Sequence, residues 1–498
     1  MSIRRKTKQQ RAAKREERAA LRAKLAEAAE QAEAAQPERA EALEETSEPP
    51  FAPQMSHGRG RQIVAYAKKV YGMGEVLAGL PDERQSPEIP APLIHSTLFV
   101  GGLLRVRSLN AFEAELEKAW FANAVGAKAP AEDERLFSAE TLSRQLVSLG
   151  AQGARPVMEE MIHKAERNKV FREGWVGALR YVAIDGWEPI CSFHRHCPYC
   201  LEREVTVGEG ENKREVTQYY HRLVVALLLG EHEEVVIGFE SLRNCEQRRL
   251  LGESNAECDE GEQTAAIRLV ERLRKTYGRW LDVIVADGLY ANGPFLTALK
   301  SLKFGALIVA KKEKDEPLRE AFNLWNGLPP SEVYEDKEAG ERVELWDCKE
   351  LTTLDSFKGP IRVTRALVHS LEERTGKAKP RQWCFISIGV ALNRLTARQL
   401  FKAIRGRWHI ENTGFNQWTQ HWPFEHVFVN DWRGMQALFS FLFAAFNLMQ
   451  LFLYRQVKGY ARLKGTDPTK TIISFVAKVR EDLVASRAGP LDWSAQPA

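Results

Sequence analysis

The chain has 498 residues, 44% of them hydrophobic and 28% charged; this excludes a globally disordered or fibrous protein and leaves room for several domains and a large core. Its net charge is only +4, from 71 basic and 67 acidic residues, so total charge excludes no partner and only its distribution is informative. Seven cysteines, an odd number in a long chain, argue against a secreted disulfide scaffold.

Residues 1–24 carry ten Lys/Arg against two Glu, and residues 25–48 turn to Ala and Glu without a bulky apolar stripe. Residues 1–60 therefore read as a basic arm and linker, either disordered or a solvated helix. The absence of an apolar leader-like run there predicts a cytoplasmic protein. Ser96 to Glu117 and Ser138 to Arg167 read as helical, and residues 61–175 are expected to form a helical N-terminal domain. The texture then changes. Apolar, β-rich runs at Tyr181–Ile184, Tyr219–Leu229, Val235–Phe239, Leu281–Ala286 and Ala306–Ala310 alternate with helical segments at Gln263–Tyr277 and Ala291–Leu302. Alternation of this kind predicts an α/β domain, here 176–455. Residues 311–392 hold several short β-like runs and read as a β-rich insertion. Helix resumes at Thr396, where Thr396 and Gln399 fit a capping box, and is expected to run through Glu411 toward Trp418. Met435–Tyr454 is almost long enough to span a bilayer, but Gln436, Ser440, Asn447 and Gln450 mark it as a buried core helix. Residues 456–498 read as a tail.

Two β-runs each end on an acid followed by glycine, Asp185-Gly186 and Asp287-Gly288. Strand ends of an α/β sheet are where sites gather, and glycine lets a ligand approach the backbone. Asp-Gly is also ordinary turn chemistry. From Arg374 to Ile410 there is no Asp or Glu but nine Lys/Arg: Arg374, Lys377, Lys379, Arg381, Arg394, Arg398, Lys402, Arg405 and Arg407. Such a stripe is the footprint of a polyanion. Glu411 interrupts it one helical turn after Arg407, as a surface ion pair or as a metal ligand among phosphate contacts. Three carboxylates beside a basic surface are what two-metal phosphoryl transfer requires.

The residues after Asp287 (GLYANGPFLTALKSLKFGALIVAKK), those around Glu411 (RGRWHIENTGFNQW) and the segment HSTLFVGGLLRVRSLNAFE resemble the DDE transposases of bacterial insertion sequences. The similar branch carries a β-rich insertion before its final Glu. The resemblance covers about residues 90–455. It implies an RNase H-like catalytic domain with Asp185, Asp287 and Glu411 as catalytic ligands of Mg2+ or Mn2+. It also implies DNA partners, the terminal inverted repeats and a target, and self-association in a DNA-bound complex in a prokaryotic, nucleoid-associated setting. The family signature Tyr-x2-Arg-x3-Glu-x6-Lys is met by Arg407 and Glu411, whereas Ile404 and Trp418 stand at its Tyr and Lys positions. Arg398, Lys402, Arg405 and Arg407 are the expected DNA contacts, and no membrane partner is expected. A silent transposase-derived DNA-binding protein and a nuclease without strand transfer are the alternatives.

Cys191, His194, His196, Cys197 and Cys200 lie within ten residues. Cys197-x2-Cys200 is a good half-site for a structural Zn2+. The second half is open among Cys258, Cys245 and His221, and Cys197, Cys200, His196 and Cys258 are the preferred set. Cys-Pro-Tyr-Cys also suits a redox pair, but charged, β-like LEREVTV follows it where a helix would be needed. His409 reads as a packing residue or a DNA contact. Trp408, Trp418 and Trp422 read as core residues, or as platforms for an unpaired base.

Overall fold

A computed structural model describes residues 58–208, 213–254, 256–310, 316–370, 380–458, 460, 468–486 and 489–493. The arm expected over 1–60 falls almost wholly outside them, as do Arg374, Lys377 and Lys379.

One sheet organises the described residues. Its strands are β1 (Tyr181–Ser192), β2 (Leu201–Val207), β3 (Arg214–Leu229), β4 (Val235–Ser241), β5 (Val283–Ala286), β6 (Gly305–Val309), β7 (Glu332–Asp336), β8 (Glu341–Leu351), β9 (Ile361–Ser370) and β10 (Arg381–Ile388). They lie in the order β2-β3-β1-β5-β6-β10-β9-β8-β7, with β4 on the far side of β3. The centre, β1-β5-β6, is parallel. Its residues Tyr181–Ile184 and Val283–Ala286 are fully buried, which is why these strands read as continuous apolar runs rather than alternating ones. β10 pairs antiparallel with β6, so the strands expected as an insertion over 311–392 continue the same sheet instead of forming a separate lobe.

The helices that bear on the site are α1 (Arg59–Tyr71), α2 (Ala91–Leu103), α3 (Ala139–Ala154), α4 (Pro156–Arg167), α5 (Glu262–Tyr277), α6 (Ala397–Arg405), α7 (Asn416–His421), α8 (Trp432–Gln456) and α9 (Pro468–Ala485). Helix α5 buries Ala265, Ala266, Leu269, Val270, Leu273 and Tyr277, an i, i+3/i+4 stripe laid on β3 and β4. Helix α8 is long and apolar enough to cross a membrane, but 94% of its apolar window is buried inside the protein. Its polar marks are used internally. Asn447 accepts from Val236 N and donates to Val236 O, both at 2.7 Å, acting as one rung of a missing neighbour for edge strand β4.

The helices expected as a domain over 61–175 pack on later elements: α2, α3 and α4 on α8, and α1 on α9. Helix α2 is buried all round, so it needs partners on every side; a Cβ on Gly101 would lie 2.0 Å from the Phe112 ring. Within the segment read as a tail, α9 returns to α1, where Arg59 N donates to the Asp482 carboxylate at 2.6 Å.

A buried ionic knot ties these layers together. Glu240 on β4 bonds Arg155 (3.0 Å), Arg268 (2.7 Å) and Arg272 (2.7 Å), and Arg272 reaches Glu159 of α4 at 2.9 Å. Burial pushes the Glu240 carboxyl up, but the three guanidiniums outweigh it and hold the group below the usual range. Glu240→Gln leaves them without their shared counter-charge. It is expected to lower stability by about 3–5 kcal/mol, read as a lower denaturant midpoint at an unchanged slope.

Candidate active site

Asp185 is not a strand-end residue: β1 runs on to Ser192, and Asp185 pairs with Val225 of β3. What ends nearby is the parallel pairing with β5, whose register sets Ala183 opposite Val285. Two residues further, Asp185 comes level with Asp287, which has left β5 and caps the short turn Gly288–Tyr290 by accepting from Leu289 N at 2.8 Å. The parallel register therefore brings together two acids that are about a hundred residues apart in sequence.

The third acid arrives from the helical segment after β10. The capping box at Thr396 and Gln399 is present and starts α6. The chain then turns, and Ile410–Phe415 winds as a π-helix before α7. Arg407, only 8% exposed, donates through Nη1 to Asp185 Oδ2 at 3.2 Å and to Glu411 Oε1 at 2.7 Å. The Arg407–Glu411 pair is thus no surface pair: it closes onto the first Asp. π-segments of this kind recur at functional sites. The wider turn also explains why the position seven after Glu411 does not share its face. Trp418 is fully buried against Trp187, Phe415 and Phe443, and Ile404 is fully buried as well. The two departures from the Tyr and Lys of the signature are core residues.

Burial pushes the Asp185 carboxyl up to about 6, against the lowering effect of Arg407, with Asp287 and Glu262 adding to the rise. Glu262, at the start of α5, was missed in the sequence. Its carboxylate pairs with Arg222 at 2.5 Å and accepts from the Tyr290 hydroxyl at 2.7 Å. Gly186 makes room for it, since a Cβ there would sit 2.2 Å from Glu262 Oε2. The close approach expected at Asp-Gly is real, but its occupant is a protein carboxylate. Nothing local in sequence marks Glu262, because its place depends on how α5 crosses the sheet. Three carboxylates, Asp287, Glu262 and Glu411, thus gather around Asp185, while Arg407 and Arg222 offset part of the charge. The oxygens of these four acids come from four separate elements, and among the described residues no three of them lie within 4.8 Å of one another.

The basic run divides. Arg405 is committed to the buried Glu341 at 2.6 Å, and Arg381 meets the same carboxylate. Arg398 lies over the Tyr334 ring at 4.1 Å. An acid missing from the run is thus supplied by β8, and Arg405, expected as a DNA contact, pairs with it while its own side chain stays 39% exposed. Lys402 and Arg394 are exposed. Trp408 is 43% exposed beside Arg407, whereas Trp422 is buried, and His409 pairs with the buried Glu234.

A separate soft-ligand group forms where β1 meets β2. His221 Nε2 lies 3.3 Å from Cys197 Sγ and 3.4 Å from Cys200 Sγ, and the two sulfurs are 3.7 Å apart. A hydrogen bond from Cys200 holds Cys197 well below the usual thiol range and raises Cys200 in return. His196 is not in this group: it is exposed and stacks on Tyr219 at 4.7 Å. Neither is Cys258, which is exposed with its sulfur near Arg248. The cross-strand pairing of Ile190 with His221 is what selects His221.

Residues 254–448 match the family model of the transposase DDE domain. The match includes Asp287, Arg407 and Glu411 and starts after Asp185. No curated protein matches the chain.

Proposed function

We propose that the chain, whose residues 254–448 match the transposase DDE domain, is the transposase of a bacterial insertion sequence, which cleaves DNA at the terminal inverted repeats of its element and joins the 3′-OH ends to a target. The observation that carries this reading is the Arg407 bridge between Asp185 and Glu411, with Asp287 just past the end of the neighbouring strand β5.

Asp185, Asp287 and Glu411 would hold Mg2+ or Mn2+. When bound, such ions activate a water or a 3′-hydroxyl and stabilise the leaving oxygen of an in-line displacement, so no protein general base is required. The chain's own residues do the rest. Arg407 orients two of the three carboxylates and reduces their mutual repulsion. Arg222 and Tyr290 fix Glu262 behind them. Lys402 and Arg394 are exposed cations suited to backbone phosphates, and they position DNA without reading its sequence. A DNA-bound assembly of more than one copy, in the prokaryotic cytoplasm, follows from the same reading.

Protonation gives this site a pH signature. Asp185 is neutral below about 6, and a metal must displace its proton. Apparent Mn2+ affinity is therefore expected to fall by about tenfold per pH unit below that value and to level off above it. A Mn2+ titration followed by electron paramagnetic resonance at pH 5, 6, 7 and 8 checks this; affinity independent of pH across the range would exclude Asp185 as a ligand.

The function is tested by single-turnover cleavage of a duplex carrying the inverted repeats that flank the gene. Cleavage at the repeat boundary in Mg2+ or Mn2+, abolished by a chelator, supports the proposal. Tight, metal-independent binding with no cleavage in either ion would replace it with a silent DNA-binding protein.

A further inference from the structure

We propose that Cys197, Cys200 and His221 bind a structural zinc ion that pins the β1–β2 connection to β3, beside the strand that bears Asp185. The inference is independent of the transposase reading.

The geometry is that of a tetrahedral centre. Zinc bonds of about 2.3 Å to sulfur and 2.0 Å to nitrogen, at the tetrahedral angle, separate two sulfurs by about 3.8 Å and sulfur from nitrogen by about 3.5 Å. The three observed edges are 3.7, 3.3 and 3.4 Å. Three soft donors have therefore converged to the edge lengths of one coordination sphere.

The surroundings hold them there. Cys200 N donates to Cys197 O at 3.1 Å, closing the Cys-Pro-Tyr-Cys turn, and Cys197 N points at Cys200 Sγ at 3.2 Å. Asn244 donates to Pro198 O at 2.7 Å and to Cys200 O at 3.2 Å, fixing the turn from a different segment. The His221 ring lies flat on Trp432, with centroids 3.7 Å apart and planes 6° apart. Its Nε2 is the nitrogen turned to the two sulfurs, while Nδ1 is buried away from them. The adjoining cavity is lined also by Cys191, His196 and Asn430, which leaves room for a fourth donor or a water.

The placement states what the ion does. His221 sits on β3 opposite Ile190 of β1, and Trp432 opens α8. One ion would thus lock a hairpin end, the strand next to the Asp185 strand, and the start of the core helix. A short hairpin extension of this kind buries little apolar surface and gains most from such a clip.

The full-length chain, purified without added metal or chelator, is expected to contain about one zinc per chain by elemental analysis. After exchange with Co2+ it should show the visible bands of a tetrahedral site and a sulfur-to-cobalt charge-transfer band. Cys200→Ser and His221→Gln should each lose most of the zinc and melt at lower temperature, whereas Cys258→Ser, outside the group, should keep both. A wild-type chain that carries no zinc and takes up no Co2+ overturns the proposal, as does a Cys197–Cys200 disulfide in the protein as purified. Should the variants fail to fold, the wild-type cobalt spectrum decides: bands of an octahedral site, without thiolate charge transfer, also overturn it.

Discussion

Asp185→Asn, Asp287→Asn and Glu411→Gln are each expected to cut cleavage and joining by about a thousandfold or more. Each removes one anionic oxygen from the group that would hold the metal ions, whose charge stabilisation is worth several kcal/mol at about 1.4 kcal/mol per tenfold. The amides keep the shape, so the fold should remain. DNA binding should remain too, because neutralisation of the phosphate backbone comes from Lys and Arg. Glu262 differs from these three: it is held by Arg222 and Tyr290. Single-turnover cleavage beside a binding titration measures both effects. Near wild-type cleavage by any of the three variants would remove that residue from the site.

Arg407→Ala is expected to lower cleavage by about a hundredfold, the cost of a small misplacement of reacting groups, with binding largely kept. Arg407 touches Asp185 and Glu411 rather than solvent, so it acts as a positioning residue, and that role has its own signature. Its guanidinium lowers the Asp185 pKa against the effect of burial. Without it, Asp185 holds its proton to a pH above about 6, and the acid limb of the pH–rate profile should move upward. A merely structural arginine would reduce the rate without moving that limb.

The pair of acids on neighbouring strands was legible because apolar runs on both sides of the centre end in the same Asp-Gly step. The continuation of β1 past Asp185 was not, since Gly186, Trp187, Glu188 and Pro189 look like a turn; a bulge between Trp187 and Ile190 absorbs them while pairing with β3 goes on. Arg407 and Glu411 were found from helical spacing, but their contact with Asp185 depends on the whole sheet intervening. The basic run was visible in the sequence, but the pairing of Arg405 and Arg381 with one shared carboxylate, Glu341 of β8, was not, because it depends on how the strands cross. For the metal group, the vicinal cysteines were visible, whereas the choice of His221 over His196 rests on strand register. The unity of the N-terminal helices with α8 was readable in principle: α2 has no polar face, and a helix apolar all round must be enclosed.

The most direct test of the central claim is joining, not cutting. Pre-cut duplexes that end in the element's repeat and expose a 3′-OH are incubated with a supercoiled target, the wild-type chain or Glu411→Gln, in Mg2+ or in chelator. The account predicts covalently joined products from the wild-type chain in Mg2+ alone, and none from Glu411→Gln. Joining that survives in Glu411→Gln, or a wild-type chain that cuts ends but never joins them, would contradict it.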